Sequence, residues 1–238
     1  MCADQTDPAP PPPPVWARRK LVLGGGLLAV TFFLPMLGGC LEISPLSIVE
    51  DSPADWLNEM SEAERAADPE AWTWHVRHVY MTVWSFAAPH LFGFLVALAA
   101  LLIWRLRPSL ATRLLATVTA AAAALVTLLP SFIYLTYDVE SPYAKAWQIR
   151  EEVFPILVAS WCVVAYLLLS AKHARSTAEQ TGWLAVAGAF PTAGWLLFLA
   201  SIDEGLLWGF YLAAAGTALL FTGGFWTVRA CRRATTTR

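Results

Sequence analysis

Six apolar stretches, at residues 21–40, 80–104, 114–137, 153–171, 183–202 and 205–228, contain none of the chain's 16 basic and 18 acidic side chains. Each is near the roughly 20 residues that a helix needs to cross a bilayer. A charge at mid-bilayer costs about 2.5–3.5 kcal/mol on insertion scales, so helices bathed in lipid require this partition. Charged residues are 14% of the chain and apolar ones 57%, whereas soluble domains are about 25% charged. The expected fold class is all-α: a polytopic integral membrane helical bundle of about six transmembrane helices.

The basic residues set the orientation. With the N-terminus inside, one side holds Arg18, Arg19, Lys20, Arg105, Arg107, Arg113, Lys172, Arg175, Arg229, Arg232, Arg233 and Arg238. That is 12 of the 16, leaving four outside. Cytoplasmic loops carry the excess of Lys and Arg, which predicts N-in, C-in. Of the 18 acids, 15 fall outside. Arginine outnumbers lysine 13 to 3, a bias that points to a high-GC bacterium and its cytoplasmic membrane.

Residues 1–20 read as a cytoplasmic tail, its run Pro10 to Pro14 extended as polyproline. The first span has a rival reading. Ala17-Arg18-Arg19-Lys20-Leu21-Val22 partly resembles a twin-arginine export signal, and Leu37-Gly38-Gly39-Cys40 resembles a lipobox, which would leave Cys40 as a lipidated N-terminus. The long proline-rich leader and Pro35 within its apolar core favour a retained anchor instead.

Residues 41–79 form an acidic extracytoplasmic segment too small for its own core. Ser52-Pro53, Ser61 with Glu64, and Asp68-Pro69 are helix-start signals, the second a capping box. A helix begun at Pro69 is expected to run unbroken into the second span. The aromatic and basic run of Trp72, Trp74, His75, Arg77, His78, Tyr80 and Trp84 suits the headgroup level. Beyond the last span, 229–238 is a basic cytoplasmic tail. Pro35, Pro89, Pro130 and Pro191 are expected to kink their spans. Small residues at four-residue spacing (Gly205, Gly209 and Ala213, with Ala185 and Ala189) let helices approach closely. The first three offer a face for other membrane proteins, which with the lipid bilayer are the expected partners; nucleic acid is not.

Chemistry-bearing residues are few. His90 is the one side chain within a span that titrates near neutral pH, and an intramembrane ionisable group is a functional candidate by default. The alternative is an imidazole bonded to a neighbouring span. His75 and His78, three residues apart on one helical face, have metal-gripping spacing but no specified third ligand. Cys162 reads as a small core hydrophobe. No HExxH or glycine-rich phosphate loop occurs, and Glu151-Glu152 lacks the arginine of a paired-glutamate protease motif, having Ile156 there. No cofactor is expected. In-span hydroxyls (Ser131, Tyr134, Ser160, Tyr166, Thr192, Tyr211 and Thr217) either line a path for a neutral solute or bond between helices.

Three roles fit these residues: a non-catalytic scaffold or complex subunit, a transporter of a neutral or lipophilic solute, and a membrane enzyme centred on His90, the first preferred. The orientation is directly testable. A cysteine introduced at Ser109 should react with impermeant maleimide only after the cytoplasmic side is opened; labelling from outside intact cells overturns N-in, C-in.

Overall fold

The computed structural model describes residues 14–36, 44–47, 61–102, 118, 145–174, 176–202 and 205–236, and no strand occurs among them. The helices are α1 (Val15–Val30), extended by a 3-10 turn at Thr31–Phe33, then α2 (Glu62–Ala67), α3 (Pro69–Leu102), α4 (Lys145–Lys172), α5 (Thr177–Ile202) and α6 (Trp208–Thr236). Among the described residues one helix, over Trp208–Arg233, is long and apolar enough by length and composition to cross a membrane. Ala87–Leu102 and Trp161–Lys172 are shorter apolar helical runs. The expected stretch 114–137 lies outside the described residues except for Val118, and so do Ser52-Pro53 and Pro130.

Local chemistry explains the ends. The Ser61–Glu64 capping box is present: Ser61 Oγ accepts from the Glu64 N–H at 3.3 Å, and the Glu64 carboxylate accepts from the Ser61 N–H at 2.8 Å. Hydrogen bonds from the Ser61 hydroxyl, then from its N–H, hold the Glu64 carboxyl below the usual carboxylate range. The Trp72 N–H donates to the Asp68 carbonyl at 3.1 Å, and α3 runs without a break from Pro69 to Leu102, past Pro89. At α5, Ser176 accepts from the Glu179 N–H at 3.1 Å, so the helix starts earlier than the apolar stretch does.

The first span differs from expectation. Its helix begins at Val15 and stops at Val30, and Leu34 is extended at φ −105° and ψ 143°. Pro35 ends the helix rather than kinking it, because a residue before proline is driven out of the α region. The freed chain is put to use. The Pro35 and Met36 carbonyls accept from the Gly209 and Leu207 N–H groups at 3.0 and 3.1 Å, tying the exit of α1 to the start of α6. At the other end α6 continues to Thr236 through the supposed tail, since arginines are good helix formers and suit a C-terminal dipole.

Contacts order the helices. α6 lies between α5 and α1, α1 packs on α3, α3 meets α5, and α4 leans on α5 from outside. Neighbours run antiparallel, for Gly223, Gly216 and Gly209 of α6 face Lys20, Gly24 and Pro35 in turn. The bundle therefore gathers Arg18, Lys172, Arg229, Arg232 and Arg233 at one end.

Three consecutive glycines let α1 serve two neighbours. A Cβ on Gly24 would stand 2.7 Å from the Gly216 carbonyl oxygen, and one on Gly25 would collide with the Gly93 carbonyl. On Gly26 a Cβ meets nothing within 4 Å. Elsewhere the fully buried Phe92 ring fills the notch left by Gly188.

Gly25→Ala should therefore lower the melting temperature in detergent by the equivalent of about 1–3 kcal/mol, the usual cost of overpacking. Gly26→Ala should leave it unchanged or slightly raised. Equal melting of the two variants would contradict the close contact of α1 with α3.

Candidate functional site

His90 stands on α3 one residue past Pro89 and is 2% exposed. Its Nδ1 lies 2.7 Å from the Leu28 carbonyl of α1. A carbonyl only accepts, so Nδ1 carries the hydrogen and donates it. The Thr31 hydroxyl donates to the same carbonyl at 2.7 Å, with its oxygen 3.1 Å from Nδ1. Leu28 thus receives two donors at the point where α1 tightens into its 3-10 turn. Nε2 is then the bare nitrogen, buried and without a partner among the described residues. Around the imidazole stand aromatic rings, Phe32 at 5.8 Å and Trp195 of α5 at 6.2 Å, both edge-on.

This arrangement joins α1 to α3 beneath α5. It supplies no second titratable side chain within hydrogen-bond reach of His90 among the described residues. General acid–base work needs a path from the imidazole to the proton being moved; among the described residues, the rings of Phe32 and Trp195 flank it. In comparisons with known proteins, no family model, curated protein or solved structure matched the chain.

The other candidates are not brought to His90. His75 and His78 lie in the first half of α3, four and three helical turns before His90. Cys40 lies outside the described residues. Among the described side chains, no three of His, Cys, Asp or Glu gather closely enough to hold a metal. Cys162 is exposed rather than in the core; among the described helices α4 packs against α5. Thr192 and Thr217 donate to the carbonyls of Gly188 and Ala213, one turn back in their own helices, each at 2.8 Å. Tyr166 and Tyr211 are exposed on the outer surface. Gly209 and Ala213 pack inside the chain, Gly209 against the Pro35 carbonyl, while Gly205 is exposed.

Thr31 and the Leu28 carbonyl are what sequence reasoning misses at His90. A threonine four residues before Pro35 is a faint signal that a helix ends with a hydroxyl in hand. A backbone carbonyl gives no signal at all. Arg18 is also unforeseen: its Nε and Nη2 donate to the Ala100 and Leu101 carbonyls at 3.1 and 3.2 Å, capping the end of α3.

Nitrogen-15 NMR of histidine-labelled protein in detergent should show one buried imidazole with a protonated Nδ1 and a bare Nε2. The opposite tautomer would break the assigned bond to Leu28.

Proposed function

We propose that this chain is a six-span, N-in, C-in protein of a bacterial cytoplasmic membrane and that its role is structural: a scaffold or a subunit of a membrane complex. Residues 41–79 would then lie outside the membrane and the arginine-rich end inside.

The distribution of side-chain sizes supports the membrane reading. Small residues make up much of the interior, with Ala17, Ala88, Ala100, Ala185, Ala189 and Ala213 all buried among larger ones such as Phe92 and Leu199, while many large apolar side chains face outward. Leu197 is 73% exposed, Phe33 65% and Trp208 80%. Soluble monomers rarely expose apolar patches above a few hundred Å². In lipid there is no hydrophobic penalty for an outward leucine, and helices associate through small residues that let backbones close up. The charge-free stretches and the single-sided gathering of arginines point the same way.

The structural role rests on one observation: His90 is engaged with the Leu28 carbonyl of a neighbouring helix, between aromatic rings, with no acid–base partner in reach among the described residues. An interhelical bond of this kind contributes about 0.6 kcal/mol on average and up to about 1.7 in a membrane protein. Removing the ring adds the cost of a cavity.

His90→Ala should therefore destabilise the purified protein by about 1–3 kcal/mol, read as a lower melting temperature in detergent and a lower yield in the membrane. In cells, restoring stability with a second-site substitution should restore whatever phenotype the variant loses. A His90→Ala protein that melts like the wild type yet abolishes a transport or catalytic phenotype would defeat the structural reading.

A further inference from the structure

At the arginine-rich end an open groove of about 510 Å³ runs between α4, α5 and α6. Its body is apolar: Leu167 from α4, Trp183 and Val186 from α5, Phe225 and Val228 from α6. All the charge in its lining is positive, from Arg229, Arg232 and Arg233. These three sit at i, i+3 and i+4 on the last turns of α6 and so share one face.

The arginines are held in distinct ways. Arg232 Nε donates to Glu179 Oε1 at 3.1 Å, and its guanidinium lies 5.0 Å from the Trp183 ring centroid. The Glu179 side chain is 6% exposed and that of Arg232 57%, so the carboxylate anchors the base of the arginine while the head stays at the mouth. Arg229 lies 5.0 Å from the Trp226 ring. The Trp183 indole Nε1 is buried, with no hydrogen-bond partner among the described residues. The groove thus combines an apolar trench with a cationic rim.

We infer that this groove seats one anionic phospholipid of the inner leaflet, its phosphate against Arg229 and Arg233 and an acyl chain along Leu167, Val186 and Phe225. Guanidinium groups match phosphate oxygens through paired donors, and basic pockets between helices on the cytoplasmic side suit anionic headgroups. Orientation by positive charge alone needs arginines at this end of the chain. It does not need them on one face above an apolar trench. This inference rests on the membrane reading, which places the groove at the inner headgroup level.

The test uses the full chain purified in a neutral detergent. Its melting temperature is followed as phosphatidylglycerol or phosphatidylcholine of the same chain length is added, and separately with inorganic phosphate. Phosphatidylglycerol should stabilise the wild type at lower concentration than phosphatidylcholine does, and phosphate alone should not stabilise it. In Arg229→Gln with Arg233→Gln, the concentration of phosphatidylglycerol giving half the effect should rise about fivefold for each arginine removed. A control of equal charge, Arg19→Ala with Lys172→Ala, alters exposed residues outside the groove lining and should behave as wild type. Equal response to both lipids, equal loss in the control pair, or the same stabilisation by free phosphate would each overturn the lipid site. A groove variant that fails to fold is replaced by the single substitutions, read in the same way. If the protein proves monomeric and folded in buffer without detergent, the membrane reading itself falls. If it needs detergent but ignores lipid charge, only the lipid site does.

Discussion

Close contact at Gly24 and Gly25 is the constraint on which the bundle depends. Adjacent helical residues point about 100° apart, so two neighbouring glycines can open two faces of one helix. Gly24 admits the backbone of α6 at Gly216 and Gly25 admits α3 at Gly93. With α1 wedged between two helices at backbone distance, Leu28 comes within reach of His90 and Arg18 within reach of the last carbonyls of α3. A side chain at Gly25 would push α1 away from α3 and strain both ties, and one at Gly24 would push α1 away from α6. The polar contacts follow from the close packing rather than cause it.

Most of the hydroxyls inside the bundle are satisfied locally or at a neighbouring backbone. Thr192, Thr217 and Thr227 return their hydroxyls to carbonyls in their own helices. His90 reaches across to another helix because α1 has begun to unwind there, where the Thr31 hydroxyl also turns to Leu28. Pro35 causes this. By stopping α1 short of the full apolar stretch it sets the 3-10 turn beside α3 and leaves carbonyls for the start of α6. A proline that sequence reasoning expects to bend a span instead organises a junction among three helices.

Charge is arranged at the ends of the bundle with equal consistency. Helices of alternating direction bring basic residues remote in sequence to one end, where several rest on tryptophan: Lys20 over Trp16, Arg229 over Trp226 and Arg232 over Trp183. Such pairs keep the cation wet while covering apolar surface with its stem. Buried Glu179 lies at this end and holds Arg232 in place. The motif that announces Glu179, Ser176-Thr177-Ala178-Glu179, looks like an ordinary helix start. In part it is one, since Ser176 does cap α5.

The helical class, the unbroken entry of α3 from Pro69 and the Ser61–Glu64 cap were legible in the sequence, because each depends on residues within a few positions of one another or on composition alone. So was the singling out of His90, an imidazole among residues that cannot titrate. Its partner was not. Leu28 enters through a backbone carbonyl that any residue would present, and its nearness to His90 depends on how closely two helices far apart in sequence are packed. The same holds for the groove of Leu167, Val186 and Arg229, whose lining comes from three helices. Periodicity and charge report what a segment requires of its surroundings. Which surroundings it receives is decided only when backbones meet.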